Sequence, residues 1–402
     1  MSSANQMIVT VNGGSSSIKF SLYCVGKAIK RVQSGQIERI GVSGTTLSFT
    51  EAATNQRSSR SIAAADLPAA ASFLVGWLDS HVGLAEVAAV GHRVVHGMQH
   101  TSTELITPAL LDDLRRISPC DPQHLPGEIA LMEAFHQCQP QLPQFACFDT
   151  TFHRDMPRVA KLLPLPRRLD AKGIQRYGFH GLSYAYLMEE LKCLGDRAAT
   201  QGRVILAHLG NGASLAAVRD GIGIDTSMGF TPTAGLPMSN RSGDLDPGLV
   251  GYLALTENLT ALQFHDMVNH QSGLLGVSEI SSDMQDLLAC ESTDVRAAEA
   301  VELFCYQAKK YIGAFAAALG GLDTLVFTGG IGEHATSIRT RICEGLGFLG
   351  VNLQDTRNAN AAEVISMENS PVTVRVIRTN EELMIARSVS RLLGFDSVPI
   401  QE

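Results

Sequence analysis

The chain has 402 residues, of which 45% are hydrophobic, with a formal net charge of −8 and a pI near 5.8. A chain of this length is longer than a domain with one hydrophobic core usually is, so two domains are expected. An acidic chain with scattered basic residues lacks the clustered basic face that nucleic acid or an anionic membrane surface requires. The eight cysteines form no C-x-x-C pair, and neither a signal segment nor a membrane-spanning apolar run stands out. We therefore expect reduced thiols in a soluble, cytoplasmic protein.

A glycine turn between two strands opens the chain. The stretch from Met7 to Leu22 reads as strand, Asn12-Gly-Gly turn and strand, and Asn211-Gly-Ala-Ser214 repeats the turn later. Such glycines permit positive φ and let backbone N–H groups approach an anion. One Asn-Gly turn alone is more typical of a tight hairpin than of a phosphate site. Two copies favour an internal repeat, in which two α/β lobes hold a polyphosphate between two glycine turns.

The next elements place charged side chains at the ends of predicted strands. A helix is predicted over 66–82, and 87–97 reads as a buried strand interrupted by Arg93. A buried guanidinium requires a partner, so Arg93 either forms a buried salt bridge or lies at a strand end and faces a cleft. A short strand over 145–149 ends in Asp149, which either faces the ligand crevice or caps the following turn.

The second half repeats this pattern. An apolar strand over 204–207 leads into a glycine turn, and Arg241 follows in a loop rich in Gly, Pro and Ser, with the acids Asp244 and Asp246 nearby. His180, between Phe179 and Gly181, precedes a helix; a lone histidine is more often structural, but this is an unusual place for one that only packs. Later come a loop over 276–286, a long helix over 297–319, a third glycine turn over 324–333, and a strand over 372–378. A last helix, from 379 to 393, is expected to cross back to the first lobe.

These residues resemble the acetate kinase family along nearly the whole chain. The resemblance is carried by Asn12-Gly-Gly-Ser-Ser-Ser-Ile-Lys-Phe20, Gly91-His-Arg-Val-Val-His-Gly97, Phe148-Asp-Thr150, Arg176-Tyr-Gly-Phe-His-Gly181, His208-Leu-Gly-Asn-Gly212, Asp225-Thr-Ser-Met-Gly-Phe-Thr-Pro232, Arg241-Ser-Gly-Asp244, Phe327 to Glu333 and Thr379-Asn-Glu-Glu382. It implies an α/β fold of two duplicated ribonuclease H-like lobes, as in the superfamily of sugar kinases, heat-shock protein 70 and actin, with a nucleotide cleft between them. The expected lobes are 1–150, joined by a C-terminal helix over 383–402, and a nucleotide-binding lobe over 151–382. A homodimer is also implied.

The resemblance further implies a role for each matching residue. The implied catalytic residues are Asp149, His180 and Arg241, and the residues implied to bind the acyl substrate are Arg93, Val95, Phe179 and Pro232. The residues implied to contact ATP or ADP are Lys19, His208, Leu209, Gly210, Asn211, Gly212, Asp283, Met284, Gln285, Gly330, Ile331, Gly332, Glu333 and His334. Asn12 and Glu381 would hold Mg²⁺, for which Mn²⁺ could substitute. The expected partners are a small carboxylate and a nucleotide, with no nucleic acid and no membrane.

The chemistry of a carboxylate acceptor agrees with these residue types. A carboxylic acid with a pKa near 4 is already ionised at neutral pH and needs no general base. The difficulty is repulsion between this anion and an anionic phosphoryl group, which fixed positive charge and a metal ion reduce. Arg93, Arg241 and His180 would supply that charge. We therefore expect Asp149 to orient an arginine, water or metal rather than to accept a proton.

Several residues depart from the family pattern. Gln285 stands where the family usually has arginine, and Gln123 and Leu125 replace residues of a Leu-His-Asn-Pro motif. Met98, Ser239 and Asn240 also differ from the usual glycine, glycine and threonine. The preferred acyl chain and phosphoryl donor therefore stay open: acetate, propionate or another short acid, or an acceptor that is not a carboxylate, such as a sugar. A nucleotide-binding protein without transferase activity is disfavoured by the two arginines, and an oxidoreductase by the lack of a dinucleotide-binding glycine motif.

Overall fold

The computed structural model describes residues 6–14 and 16–395. The chain divides into two compact units. The first unit combines the residues up to Thr151 with those from Asn380 onward, and the second comprises Phe152–Thr379. Within the described ranges, no helix has the length and apolar character needed to cross a membrane.

The first unit is built on one sheet. Its strands are β1 (Gln6–Gly13), β2 (Ile18–Val25), β3 (Ile29–Glu38), β4 (Thr46–Glu51), β5 (Arg57–Ser61), β6 (Val87–Val94), β7 (Glu104–Leu105) and β8 (Gln144–Phe148). Three of its helices precede the second unit: α1 (Leu67–Val82), α2 (Pro108–Ile117) and α3 (Leu125–Cys138). Single 3₁₀ turns occur at Leu84–Glu86, Ser118–Cys120 and Thr151–His153.

The second unit contains the other sheet and most of the helices. The helices before its sheet are α4 (Arg158–Lys161), α5 (Arg167–Asp170), α6 (Gly181–Cys193) and α7 (Arg197–Gln201). The sheet consists of β9 (Arg203–Leu209), β10 (Ala213–Arg219), β11 (Ile222–Thr226), β12 (Thr324–Thr328) and β13 (Thr373–Val376). The remaining helices are α8 (Gly248–Thr256), α9 (Ala261–His270), α10 (Gly273–Ser278), α11 (Met284–Cys290), α12 (Val295–Leu319), α13 (Gly329–His334), α14 (Thr336–Cys343) and α15 (Asp355–Ala359), with a 3₁₀ turn at Leu346–Leu349.

The two sheets share one connectivity. In the first sheet the order is β5-β4-β3-β2-β1-β6-β8-β7, and in the second it is β11-β10-β9-β12-β13. Each sheet contains three consecutive antiparallel strands, followed by two strands that run parallel to the first of them. The first sheet extends this pattern with β4 and β5, which continue the antiparallel meander, and with β7, which is antiparallel to β8. This repeated arrangement confirms the predicted α/β fold of two duplicated ribonuclease H-like units.

Local sequence signals explain where the first long helix begins. Asp66 is the N-cap of α1 and lies outside the helix, because its backbone is extended. Its carboxylate caps the helix by accepting a hydrogen bond from Ala69 N at 2.9 Å. The buried face of α1 packs on the sheet, where the ring of Trp77 lies 5.4 Å from that of Phe20 and 4.9 Å from that of Phe49. The predicted helix over 66–82 is therefore present, one residue shorter.

The last helix, α16 (Glu381–Leu392), packs on the first sheet. Gly91 of β6 allows this contact, because a β-carbon there would lie only 2.4 Å from Cγ2 of Ile385. The helix starts where the Asn380 side chain accepts a hydrogen bond from Leu383 N at 3.1 Å. It is shorter than the expected 383–402: residues 393–395 are not helical, and 396–402 lie outside the described residues.

One predicted loop was partly wrong. The stretch 276–286 contains the end of α10, because Gly276 N donates a hydrogen bond to Ser272 O at 3.0 Å and completes a helical turn. The later part is as expected, since Asp283 caps α11. The long helix α12 begins at Val295, two residues before the expected start, where Asp294 accepts hydrogen bonds from the first backbone N–H groups.

Buried His92 predicts acid sensitivity of the first unit. Burial lowers the pKa of this histidine from 6.5 to about 4, although its hydrogen bond to Gln144 opposes the shift. The His92 imidazole therefore binds a proton below pH 6.5 in the unfolded chain but only near pH 4 in the folded chain. The free energy of unfolding that His92 contributes above pH 6.5 is lost as the pH falls toward 4. We expect His92 to account for a loss of about 2 kcal/mol between pH 7 and pH 5. Denaturant unfolding monitored by the fluorescence of Trp77, the single tryptophan, measures this loss.

The variant His92→Gln isolates the contribution of this imidazole from those of other titrating groups. Its free energy of unfolding is expected to fall less between pH 7 and pH 5 than that of the wild type, whatever its stability at pH 7. An unchanged pH dependence would show that the His92 pKa is not lowered.

Candidate active site

In the first unit, four predicted site residues lie at one edge of the sheet. Asn12 is near the end of β1, and Lys19 of β2 is its cross-strand partner. Arg93 is the penultimate residue of strand β6, and Asp149 directly follows β8. Since β1, β6 and β8 run parallel, their carboxyl ends meet at the same edge, where ligands of α/β sheets usually bind.

Arg93 is held from two sides. Its Nε and Nη2 atoms donate to Oδ2 of Asp149 at 3.1 and 2.5 Å, and Nη1 donates to Oδ1 of Asn12 at 3.1 Å. Burial acts to lower the pKa of Arg93, but the negative charges of Asp149 and Glu381 outweigh it and raise the pKa above its ordinary value. The guanidinium is therefore permanently charged and fixed in direction. The predicted buried salt bridge of Arg93 is confirmed, and the residue also lies near a strand end. That it faces a cleft stays a prediction.

The same edge carries unmatched negative charge. Asp149 is fully buried, and its Oδ1 atom has no hydrogen-bond partner in the described part of the chain. Burial raises the pKa of Glu381, at the start of α16, to about 7, while Arg93 opposes the shift and Asp149 adds to it. Among the described residues, no group of three or more His, Cys, Asp or Glu side chains is arranged to hold a metal ion by itself.

These observations fit a cation that takes only part of its ligands from the protein. Mg²⁺ typically binds through one or two carboxylates while phosphate oxygens and water complete its coordination. The unpartnered Asp149 oxygen and the desolvated Glu381 carboxyl are groups that a bound cation would stabilise. The amide oxygen of Asn12, by contrast, already accepts a hydrogen bond from Arg93.

Glu128 is a site-edge residue that the sequence did not indicate. Its two carboxylate oxygens lie 3.1 and 3.2 Å from Val95 N, which donates to them, and only 2% of the residue is exposed. Burial raises the pKa of Glu128 well above its ordinary value, although Arg93 opposes the shift. The acid therefore fixes the backbone of Val95, a predicted acyl-binding residue. Its position in the first turn of α3 is ordinary for an acid, so the sequence carries no signal of its contact with Val95.

In the second unit, His180 adopts a strained and fixed conformation. Its backbone is left-handed, with φ 58°, at the start of α6, which is uncommon for a residue with a β-carbon. Its Nδ1 atom lies 2.8 Å from Oγ of Ser214. Its ring stacks on that of His208 with centroids 4.2 Å apart and an angle of 19°. Neighbouring Phe179 is buried, and His153 Nε2 lies 3.1 Å from its carbonyl oxygen.

Gly212 marks the point where two predicted catalytic side chains approach each other. A β-carbon at Gly212 would lie 3.1 Å from Nε2 of His180 and 3.9 Å from Nη1 of Arg241. The same Nη1 atom donates to the carbonyl oxygen of Pro232 at 3.3 Å. The structure thus places His180 and Arg241 beside the predicted phosphate-binding turn.

Asp244 stabilises the loop that carries Arg241. Its Oδ1 atom accepts a hydrogen bond from Gly235 N at 2.9 Å, and the Tyr311 hydroxyl donates to its Oδ2 atom. Asp246, the other acid of this loop, instead accepts from Gly248 N at 2.8 Å and is exposed. Asp244 therefore has a structural role in this loop.

The two glycine turns of the second unit abut. A β-carbon at Gly210 would lie 3.8 Å from Gly330 N, and one at Gly329 would lie 2.6 Å from the carbonyl oxygen of Leu209. The third turn is a short helix, α13, rather than an open turn. Inside it, Oε1 of Glu333 accepts hydrogen bonds from Gly329 N at 3.0 Å and Thr379 N at 3.1 Å. Glu333 thus holds the backbone of α13 in place.

Other predicted nucleotide-contact residues are more scattered. Asp283 and Gln285 are exposed, Met284 is buried, and the hydrogen bond from Gln285 N to Asp283 Oδ1, at 2.7 Å, is local. Asn211 and His334 are also exposed, as is Lys19 of the first unit. In the third glycine turn, Ile331 is half-buried and Gly332 is buried. Gln123, which departs from the family pattern, has a buried Nε2 atom without a partner in the described ranges.

Two ribonuclease H-like units, with glycine turns, Arg93 at a strand end and Arg241 in a loop beside Gly212, are typical of phosphotransferases with two related units. A model of the acetokinase family matches residues 7–387. The acetate kinase of Rhodopseudomonas palustris is 43% identical over 403 residues, with 96% of this chain and 98% of that protein covered. The chain belongs to the acetokinase family.

Solved structures agree with this assignment. The structure of Porphyromonas gingivalis acetate kinase is similar with a TM-score of 0.86 at 35% identity, covering 96% of this chain and 100% of that one. A propionate kinase from Francisella tularensis gives a TM-score of 0.88 at 35% identity, covering 95% and 98%. Relatives named for two different acids therefore share this fold and much of this sequence.

Proposed function

We propose that this protein is an acetate kinase, which transfers a phosphoryl group from ATP to the carboxylate of acetate and forms acetyl phosphate and ADP. Propionate is the second candidate substrate, because relatives named propionate kinase match as well as those named acetate kinase. The proposal concerns phosphoryl transfer to a carboxyl group, and it leaves the length of the acyl chain to experiment.

The Arg93 guanidinium carries this proposal. Asp149 and Asn12 hold it rigidly at the ends of the parallel strands, where it would bind a carboxylate and reduce the charge repulsion of the reaction. One carboxylate oxygen of Asp149 accepts two hydrogen bonds from Arg93. This contact suits a residue that orients the arginine. An ionised carboxylate acceptor needs no base, whereas an alcohol acceptor would require one.

His180 and Arg241 of the second unit would act on the phosphoryl group. Both lie beside Gly212, and charge develops on the phosphoryl oxygens during transfer, so fixed donors aimed at them stabilise the transition state. The abutting glycine turns of β9 and α13 would bind the nucleotide through backbone N–H groups. Val95, Phe179 and Pro232, all buried, would contact the acyl group.

Mg²⁺ would be held by Glu381 together with Asn12 or Asp149. When bound, it would neutralise charge on the phosphate oxygens. On the protein side, Glu381 must be ionised for this role, and Arg93 and Lys19 favour its ionised form.

Replacing Arg241 should remove a large part of the activity. We expect Arg241→Ala to lower kcat at least about 100-fold, because a fixed positive charge worth about 3 kcal/mol or more in the transition state is lost. The measurement is acyl phosphate formation from ATP and acetate, trapped with hydroxylamine as a hydroxamate. Acetate, propionate, butyrate and a hydroxy acid are compared in the same assay.

The control is Arg168→Ala, an exposed arginine of the same unit, which should keep wild-type turnover. Near-normal turnover of Arg241→Ala would remove this residue from the mechanism. Formation of a phosphorylated product that survives hydroxylamine, with no hydroxamate from any acid, would instead identify a non-carboxylate acceptor.

Glu381 should control the metal requirement. We expect Glu381→Gln to raise the Mg²⁺ concentration for half-maximal rate tenfold or more, since an ionisable ligand is lost. Calorimetric titration of ADP with and without Mg²⁺ gives a second measure, independent of turnover. The neighbouring Glu382→Gln makes the same chemical change one residue away and should behave like the wild type. Equal effects of the two variants would argue against Glu381 as a ligand.

We also propose that the protein is a homodimer that associates through α8. This helix contains no charged residue, and its largest apolar side chains, Leu255 and Tyr252, are 86% and 62% exposed. Leu262 of α9, 82% exposed, extends the apolar face. An exposed apolar patch of this kind marks an interaction site. The occupant we propose is a second copy, because two chains of net charge −8 approach most easily through an uncharged, self-complementary face.

Leu255→Glu should therefore convert the dimer to a monomer, because it would bring two like charges into a desolvated interface. The mass in solution is measured by light scattering coupled to gel filtration. Phe348→Glu, a change at another exposed apolar residue of the second unit, should leave the dimer intact. A wild-type protein that is monomeric at micromolar concentration, or a Leu255→Glu variant that remains dimeric, would contradict this interface.

A further inference from the structure

A buried chain of hydroxyl groups ends at His180. Ser214, which is fully buried in β10, has its Oγ atom 2.8 Å from His180 Nδ1 and 2.5 Å from the Tyr184 hydroxyl oxygen. Tyr184 is also fully buried, one turn into α6. Neither Ser214 nor Tyr184 is a predicted site residue, yet Ser214 contacts the imidazole directly and Tyr184 contacts Ser214.

Relative donor strength assigns the direction of these bonds. A serine hydroxyl carries one hydrogen and can accept others, and a neutral imidazole carries a hydrogen on only one of its two nitrogens. A phenol, with an ordinary pKa near 10, is a stronger donor than an alcohol, so we assign Tyr184 as the donor to Ser214. The hydrogen of Ser214 then points at Nδ1 of His180, so Nδ1 accepts and Nε2 carries the ring hydrogen.

That Nε2 hydrogen points toward the predicted phosphate-binding turn. Gly212 lies against Nε2, and Arg241 approaches the same glycine. The left-handed backbone of His180, with φ 58°, turns the ring into this position. A left-handed residue with a β-carbon costs about 1 kcal/mol or more, and the hydrogen bond to Ser214 helps to hold it.

The stacked imidazole of His208 disfavours positive charge on both rings at once. The ring of His208 is stacked on it with a centroid separation of 4.2 Å, so two charged rings would repel each other strongly. Nδ1 of His208 lies 2.8 Å from Oγ of Ser183, which in turn lies 2.8 Å from Oγ1 of Thr379. Each ring thus has its own hydroxyl partner.

We propose that Ser214 and Tyr184 are positioning residues that hold His180 as its neutral Nε2–H tautomer, a hydrogen-bond donor for the transferred phosphoryl group. This assignment rests on the proposed function only for the identity of the acceptor. The tautomer itself is a property of the ligand-free protein. With the other tautomer, Nε2 would present a lone pair to an anionic group and repel it.

The kinetic test compares three hydroxyl deletions. Ser214→Ala should lower kcat tenfold or more with KM for acetate and ATP changed less than threefold, because the ring is no longer held as a donor. Tyr184→Phe should have a smaller effect, since Ser214 can still donate to Nδ1. The matched control is Ser227→Ala: Ser227 is equally buried and accepts a hydrogen bond from Leu215 N at 2.9 Å, next to Ser214 but away from His180. Equal losses in Ser214→Ala and Ser227→Ala would overturn the proposal.

The spectroscopic test does not depend on activity. In protein labelled with ¹⁵N-histidine, the signals lost in His180→Gln belong to His180, and they should show a protonated Nε2 and an unprotonated Nδ1. In Ser214→Ala, the same signals should shift toward a mixture of tautomers. A wild-type His180 protonated on Nδ1 would overturn the proposal even if acyl phosphate is formed. If His180 has the expected tautomer but the protein phosphorylates no carboxylic acid, the proposed function is refuted and the tautomer assignment stands.

Discussion

The ion pair between Arg93 and Asp149 is the interaction on which the first unit's site depends. A guanidinium at the end of a buried strand is costly without a partner, and a fully buried carboxylate is equally costly without a cation. Each makes the other possible, and Asn12 fixes the remaining direction of the guanidinium. The cost of removing either partner would be high, because the other charge would be left buried and alone. The pair also leaves one Asp149 oxygen without a hydrogen-bond partner in the described part of the chain, and the Glu381 carboxyl lies at the same edge.

The two units carry their predicted site residues on sheets of related topology. The first presents a fixed guanidinium among buried carboxyl groups, and the second presents an imidazole and a guanidinium beside glycine turns. In both, the parallel strands bring residues far apart in sequence to one edge, as with Asn12 and Asp149. Glycine is used where backbone must come close to backbone, as at Gly329, whose β-carbon would overlap the Leu209 carbonyl oxygen.

The sequence predicted what depends on local pattern. Alternating apolar strands, helical periodicity and the repeated Asn-Gly turns indicated a duplicated α/β fold. Arg93 near a strand end and Arg241 in a glycine-rich loop pointed to an anion site. Element boundaries were less accurate, because capping by residues such as Asp294 decides them. Glu128, Ser214 and Tyr184 could not be found this way, since their importance comes from contacts across the fold rather than from neighbouring residues. A serine in a buried strand or a tyrosine in a helix has no distinctive local signal.

The first unit is discontinuous in sequence, since α16 comes from the end of the chain and packs on a sheet made from its beginning. During synthesis, the strands of that sheet leave the ribosome long before the helix that covers Gly91. Until α16 has been synthesised, this surface has no intramolecular partner, and Glu381 is still missing from the edge that carries Arg93. Chains that lack α16 therefore expose an apolar surface of the kind that chaperones recognise.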